Sequence, residues 1–92
     1  MEFKRVPGKK VADVVLYAIS TCPWCGKTKA LLKELGVEYR YVDCDLLEGK
    51  DADEADEEVV KYNPRHSFPT MVINGKKVIT GFNEDAIREA LG

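Results

Sequence analysis

The chain has 92 residues, 45% hydrophobic and 33% charged, with a formal net charge of −2. That length suits a single domain, and the composition is that of a globular protein rather than a disordered one. A slightly negative chain has no electrostatic footprint for reading phosphates, so nucleic acid is not an expected partner. A chain of this size buries roughly 60–65% of its unfolded surface, enough for one core without obligatory staples. Its three cysteines are an odd number, which fits poorly with a secreted disulfide framework.

In chain order, residues 1–10 read as a basic N-terminal arm carrying Lys4, Arg5, Lys9 and Lys10, with Pro7 and Gly8 breaking any regular pattern; a solvated tail is expected ahead of the alternative, a docking element. The domain proper is then residues 11–92. The arm and the apolar residues 11–19 loosely mimic a signal peptide, but Asp13 interrupts the run, and cleavage after it would remove a whole strand. A core strand is therefore expected there. No stretch approaches the ~20 apolar residues of a membrane-spanning helix, so the expected protein is cytoplasmic with no membrane partner.

The first strand is "DVVLYAI", continuous and β-branched as befits a strand buried on both faces. "CPWCGKTKALLKELG" follows, with Trp24, Thr28, Leu31 and Leu35 at helical spacing and Gly36 where a helix-ending glycine belongs. Pro23 suits the first helical position, which leaves Cys22 at the cap. "EYRYVDC" alternates as a second strand, with Tyr39 and Tyr41 on one face and Arg40 and Val42 on the other. Seven carboxylates crowd residues 48–58, yet Ala52, Ala55, Val59 and Tyr62 keep a helical stripe, so this is a second helix with a solvated acidic face. Asn63 and Pro64 end it. "TMVINGKKVIT" flanks Asn74-Gly75 with two β-rich runs, a hairpin in which both turn residues tolerate positive φ. "NEDAIREALG" opens with an asparagine cap and two acids and carries Ile87 and Leu91 on its apolar stripe. The order is β-α-β-α-β-β-α. A right-handed crossover at the start and a hairpin at the end give an α/β fold, a four-stranded mixed sheet with three helices distributed over both faces.

The pair Cys22 and Cys25 could bind metal, lock a loop or pass electrons. A structural zinc site typically needs four ligands, and only Cys44 and His66 remain to complete one, without the usual half-site spacing. A static disulfide would close a tiny loop of little entropic value and stay reduced in the cytoplasm. The redox reading accounts for more residues. Cys22 sits at a helix N-terminus, where unpaired N–H groups favour a thiolate, and Lys27 and Lys29 add positive charge nearby. Cys25, one turn on, is placed to attack a mixed disulfide and release the product. Cys44 is read as a buried small hydrophobe or a peripheral thiol open to oxidation, in either case without a catalytic role.

Three motifs then coincide. "TCPWC" after the first strand, "SFPT" before the hairpin and "TGFNEDA" opening the last helix together resemble the glutaredoxins and related small redoxins, in the same order and over roughly residues 13–91. The resemblance implies a thioredoxin-like fold, with Cys22 as attacking and Cys25 as resolving thiol. It implies a cis peptide between Phe68 and Pro69 facing the cysteines, with the Phe68 backbone free to pair with a substrate. Trp24, Arg65, Phe68, Pro69, Gly81, Phe82 and Asn83 become the implied substrate-binding residues. The implied activity is a dithiol–disulfide oxidoreductase working on protein disulfides or mixed disulfides as a monomer, with no permanently bound cofactor and no metal. An alternative within the resemblance is an iron–sulfur cluster carrier.

Glutathione-using members usually have a Lys three residues before the first cysteine and an Asp before the last helix, each meeting a charged end of the tripeptide. Here those positions are Ile19 and Asn83. Arg65 matches a position that often helps with the glycine carboxylate, and the N–H groups of Phe82 and Asn83 could still receive a carboxylate. "TGF" looks more like redoxins that serve ribonucleotide reductase and are recharged by thioredoxin reductase. The reductant is therefore left open among glutathione, another low-molecular-weight thiol and thioredoxin reductase.

Overall fold

A computed structural model describes residues 1–92. Its elements are β1 (Lys4–Val6), β2 (Val14–Ala18), α1 (Pro23–Leu35), β3 (Tyr39–Asp43), a 3₁₀ turn (Cys44–Leu46), α2 (Gly49–Tyr62), β4 (Thr70–Ile73), β5 (Lys77–Thr80) and α3 (Glu84–Leu91). The sheet has five strands in the order β1-β3-β2-β4-β5. β2 is central, parallel to β3 and antiparallel to β4, which explains why its sequence is apolar without alternation. Its residues divide between two cores. Val14, Leu16 and Ala18 join Leu31 and Leu32 of α1, Met71, Ile73 and Ile79 of the hairpin, and Ile87 and Leu91 of α3. Tyr17 faces the other way, with Val42, Val72 and Val59 of α2. No helix is long and apolar enough to cross a membrane.

Local signals explain most elements. Gly36 adopts φ 70° and its N–H closes α1 onto Leu32 O and Lys33 O. Asn74 and Gly75 both have positive φ, in a three-residue loop completed by Lys76. The loop is tied to the start of β2, since Asn74 N–H donates to Asp13 O at 2.7 Å and Asp13 N–H to Asn74 Oδ1 at 2.9 Å.

Two expectations need correction. The buried face of α1 is Cys25, Thr28, Leu31 and Leu32; Trp24, placed on the stripe from its spacing, is 54% exposed. A stripe that starts one residue later fits the same spacing, and the sheet selects the face that carries Cys25. The sheet also has five strands rather than four, because residues 4–6 of the expected solvated arm pair antiparallel with β3, Arg5 opposite Arg40. Three residues are too few for alternation to register, and the pairing partner lies far along the chain. Phe3 anchors the segment edge-on to Tyr17 at 5.9 Å, and Arg5 pairs with Glu38 at 2.7 Å. Gly8 then passes so close to residues 36–38 that a Cβ there would sit 2.7 Å from Gly36 O. That approach lets Lys9 N–H reach Gly36 O and Glu38 N–H reach Lys9 O.

Gly8→Ala should therefore lower the unfolding free energy by about 1–3 kcal/mol, since rigid backbone meets the added methyl. Gly26→Ala, on α1 with nothing within 4 Å of its Cβ, should be neutral or stabilise by up to ~1 kcal/mol. Urea unfolding midpoints of the two variants check both.

Candidate active site

Strand β2 ends beneath the start of α1, and the link between them carries Cys22. A residue before proline is driven out of the α region, and Cys22 is extended at φ −85°, ψ 117°. That is the conformation a helix cap requires. Its Sγ accepts the Cys25 N–H at 3.3 Å, and its own N–H closes onto Ile19 O at 3.1 Å. One turn further in, Cys25 is 1% exposed and part of the main core, while Cys22 is only partly buried.

The two thiols are pushed in opposite directions. Burial by itself would raise the Cys22 thiol. Hydrogen bonds from the Cys25 thiol and from the N–H groups of Cys25 and Trp24 outweigh it, and the balance lies below the ordinary thiol value. Burial is the main cause that pushes Cys25 up to about 12; the neighbouring Cys22 adds to it, against a partial offset from the Ile19 backbone. Of the two expected lysines, Lys29 contributes a small lowering influence at Cys25, and both ammonium groups rest against other partners. Lys27 Nζ lies 4.5 Å over the Trp24 ring, and Lys29 pairs with Asp43 at 2.9 Å over the Tyr41 ring.

Around the pair, Trp24 stacks on Phe82 with ring centroids 6.0 Å apart and planes 23° from parallel. Phe82, Phe68 and Cys22 pack on the same core cluster. The Phe68–Pro69 peptide is cis. Gly81, at φ 73°, donates its N–H to Pro69 O at 2.8 Å, so the bend before α3 is joined to the loop before β4. Nothing crowds a Cβ at Gly81, so its φ rather than its space calls for glycine. Asn83 caps α3, its Oδ1 accepting the Ala86 N–H at 3.1 Å. Arg65 lies exposed in the turn after α2, and its N–H donates to Asn63 Oδ1 at 3.2 Å.

Asn63 is the residue that sequence reasoning missed. It reads as a helix stop, yet it is 4% exposed and its Nδ2 reaches Ser67 O, Ser67 Oγ and Thr70 Oγ1 at 3.2, 2.9 and 2.9 Å. Thr70 Oγ1 also donates to Ser67 O at 2.7 Å. This small polar knot holds the loop that presents Phe68. The only hint in the sequence is that Asn-Pro is followed so closely by Ser-Phe-Pro-Thr.

Cys44 is half-buried against the second core, and burial, followed by the nearby Asp56 charge, pushes its thiol up to about 11. His66 is exposed and pairs with Asp56 at 3.0 Å. No group of three or more His, Cys, Asp or Glu side chains is arranged to hold a metal ion. A cleft of about 180 Å³ lies along Ile19, Cys44, Asp45, Asp56, His66 and Phe68. The largest depression, about 500 Å³, is lined at the opposite end of β2 and β3 by residues that include Arg5, Asp13, Glu38 and Arg40. Four of its charges are paired among themselves, Arg5 with Glu38 and Arg40 with Asp13, while Lys10 also lines it, and it contains no cysteine.

Comparison with known proteins converges on one family. The glutaredoxin family model matches residues 14–78. The crystal structure of a glutaredoxin from Methanosarcina mazei Go1 is 51% identical with a TM-score of 0.90, covering 100% of this chain and 89% of its own. That of Methanosarcina acetivorans methanoredoxin is 49% identical with a TM-score of 0.89, covering 92% and 90%. Rice (Oryza sativa subsp. japonica) glutaredoxin-C6 is 31% identical over 68 residues, which span 73% of this chain and 58% of the rice protein. With its thioredoxin-like α/β architecture and its pair of unequal thiols on one helix turn, the chain belongs to the glutaredoxin family.

Proposed function

We propose that the protein is a dithiol–disulfide oxidoreductase that reduces protein disulfides, or mixed disulfides with small thiols, through Cys22 and Cys25. One observation carries the reading: two thiols joined by a single hydrogen-bonded turn, the outer favoured as thiolate and the inner buried and protonated. The Cys22 thiolate attacks one sulfur of the substrate disulfide, and the other sulfur leaves as a thiolate that takes up a proton. Cys25 then gives up its proton and attacks Cys22 Sγ, which releases the second substrate thiol and closes the Cys22–Cys25 disulfide. Two electrons pass to the substrate, and an external thiol or reductase restores the dithiol. The stacked Trp24 and Phe82 rings, and Phe68, which packs on the same core cluster as Cys22, support a reading in which they contact an extended substrate.

The reductant is the less familiar part. Ile19 offers no charge to a tripeptide carboxylate, and the Asn83 side-chain oxygen is engaged by its own helix. The cleft along Ile19 is lined by Asp45 and Asp56, which disfavour an anionic end there. We infer a small thiol other than glutathione, or a reductase, as the better electron source. Losing two charged contacts at ~1–2 kcal/mol each slows glutathione attack roughly 30- to 1000-fold.

Alkylation with iodoacetamide should modify Cys22 first at neutral pH. Its rate should fall as the pH drops through a value below that of a free thiol, while Cys25 and Cys44 react only in strong alkali, in line with values of about 12 and 11. Cys22→Ser should abolish disulfide reduction, whereas Cys25→Ser should keep only the reaction with small-thiol mixed disulfides. Prior labelling of Cys25 or Cys44, or turnover by Cys22→Ser, would contradict the assignment.

Steady-state assays with glutathione should show slow turnover. Ile19→Lys with Asn83→Asp, the second change preserving the cap, should raise kcat/KM for glutathione at least about tenfold. A wild-type rate typical of an efficient glutathione-dependent enzyme, or no gain in the double variant, would rule out this view of the two positions.

A further inference from the structure

Residues 19–21 connect the end of β2 to Cys22, in a turn whose own backbone supplies one restraint, the Cys22 N–H on Ile19 O. Ile19 is half-buried, Ser20 and Thr21 are exposed, and no proline stiffens the turn. A second restraint comes from another segment. Asp45 Oδ1 accepts the Ser20 N–H at 2.8 Å, and Asp45 Oδ2 accepts the Ser20 hydroxyl at 2.5 Å. Asp45 belongs to the 3₁₀ turn directly after β3, the parallel neighbour of β2. One carboxylate therefore ties the two strand ends together at the point where the cysteine loop leaves the sheet. Both of its oxygens are used on one residue, two positions before Cys22.

Charge-assisted bonds of this kind are stronger than neutral ones, and they hold the Asp45 carboxyl below its usual range, so the acceptor is ionised at neutral pH. Lys29 adds a smaller favourable influence, while Asp56 and His66 line the same cleft. On the other side of the loop the cap is completed by Cys22 Sγ and Cys25 N–H, with Cys22 N–H on Ile19 O.

We propose that Asp45 is a positioning residue for the redox centre: by accepting both Ser20 donors it fixes residues 19–21 so that Cys22 meets the start of α1 in cap geometry. Without it the loop gains freedom, and Cys22 Sγ spends less time against the N–H groups that favour its thiolate. A carboxylate acting mainly through its charge would do the reverse, since removing a negative charge near Cys22 would favour the thiolate. Geometry and charge thus predict opposite signs.

The inference rests on the functional reading only for its effect on turnover; its test needs no disulfide substrate. The pH profile of Cys22 alkylation by iodoacetamide is followed by peptide mapping in the full chain, for wild type, Asp45→Ala, Ser20→Ala and Ser20→Thr. In Asp45→Ala the profile should move up by ~0.5–1 pH unit, so the neutral-pH rate falls about 3- to 10-fold, with the rates converging in alkali where Cys22 is fully ionised. Ser20→Ala, which deletes only the hydroxyl bond, should give a smaller fall of the same sign, and Ser20→Thr should restore the wild-type profile. An unchanged profile in folded Asp45→Ala, or a shift to lower pH, overturns the proposal. If Asp45→Ala does not fold, Ser20→Ala against Ser20→Thr decides it on the same measure. A shifted profile in a protein without oxidoreductase activity would overturn the functional reading and leave this one standing.

Discussion

The hydrogen bond from the Cys25 amide to Cys22 Sγ sets demands that reach through the whole molecule. It needs Cys22 extended, Pro23 opening the helix, and the first turn of α1 lying with one side against the core and the other at the surface. Pro23 meets two of these demands at once, because its ring excludes the α region from the preceding residue and fixes its own φ for the helix. A single turn then separates two chemically identical side chains into unlike surroundings. The outer sulfur meets N–H groups, and the inner one is buried in the main core. Each pH unit of separation between them corresponds to about 1.4 kcal/mol, a large effect for one turn of backbone.

The sheet supplies the frame that makes such a turn reproducible. β2 is paired on both sides, so its C-terminal end is a fixed platform for the cysteine loop. The Asn63 knot holds the approach to β4, and the Gly81–Pro69 hydrogen bond attaches the bend before α3 to that same approach. Three segments distant in sequence are thereby brought onto one core cluster with Cys22, without relying on any one of them being stiff alone. Phe82 belongs to the last of these, and its stacking with Trp24 brings α3 into the same surface.

Features dictated by neighbouring residues were legible in the sequence. The central strand, the capped and glycine-terminated α1, the Asn74-Gly75 hairpin and the Asn83 cap all follow from contacts within a few positions. What escaped depends on distance in sequence or on direction in space. β1 acquires its identity only by meeting β3, over thirty residues later. The spacing around Trp24 suits either of two adjoining helix faces, and only the sheet chooses between them. Lys27 and Lys29 are near the cysteines by number, but an aromatic ring and Asp43 determine where their ammonium groups rest. Asn63 carries an ordinary helix-stop signal, and its role emerges from a loop whose return path the local pattern does not encode. The cysteine pair itself was plain, because the cap position, the proline and the spacing are all local.

Docking of residues 4–6 also changes what the outside of the molecule offers to other chains. Left uncovered, β3 would present five residues of unpaired backbone, a template on which foreign strands add. With β1 in place the exposed border shrinks to three residues, two of them Lys4 and Arg5, and is followed by Pro7, which has no N–H to donate. The far border, β5, is four residues long and begins at Lys77. A protein proposed to receive extended polypeptide beside Cys22 thus has sheet margins that discourage it, and self-association by strand addition is blunted on both sides.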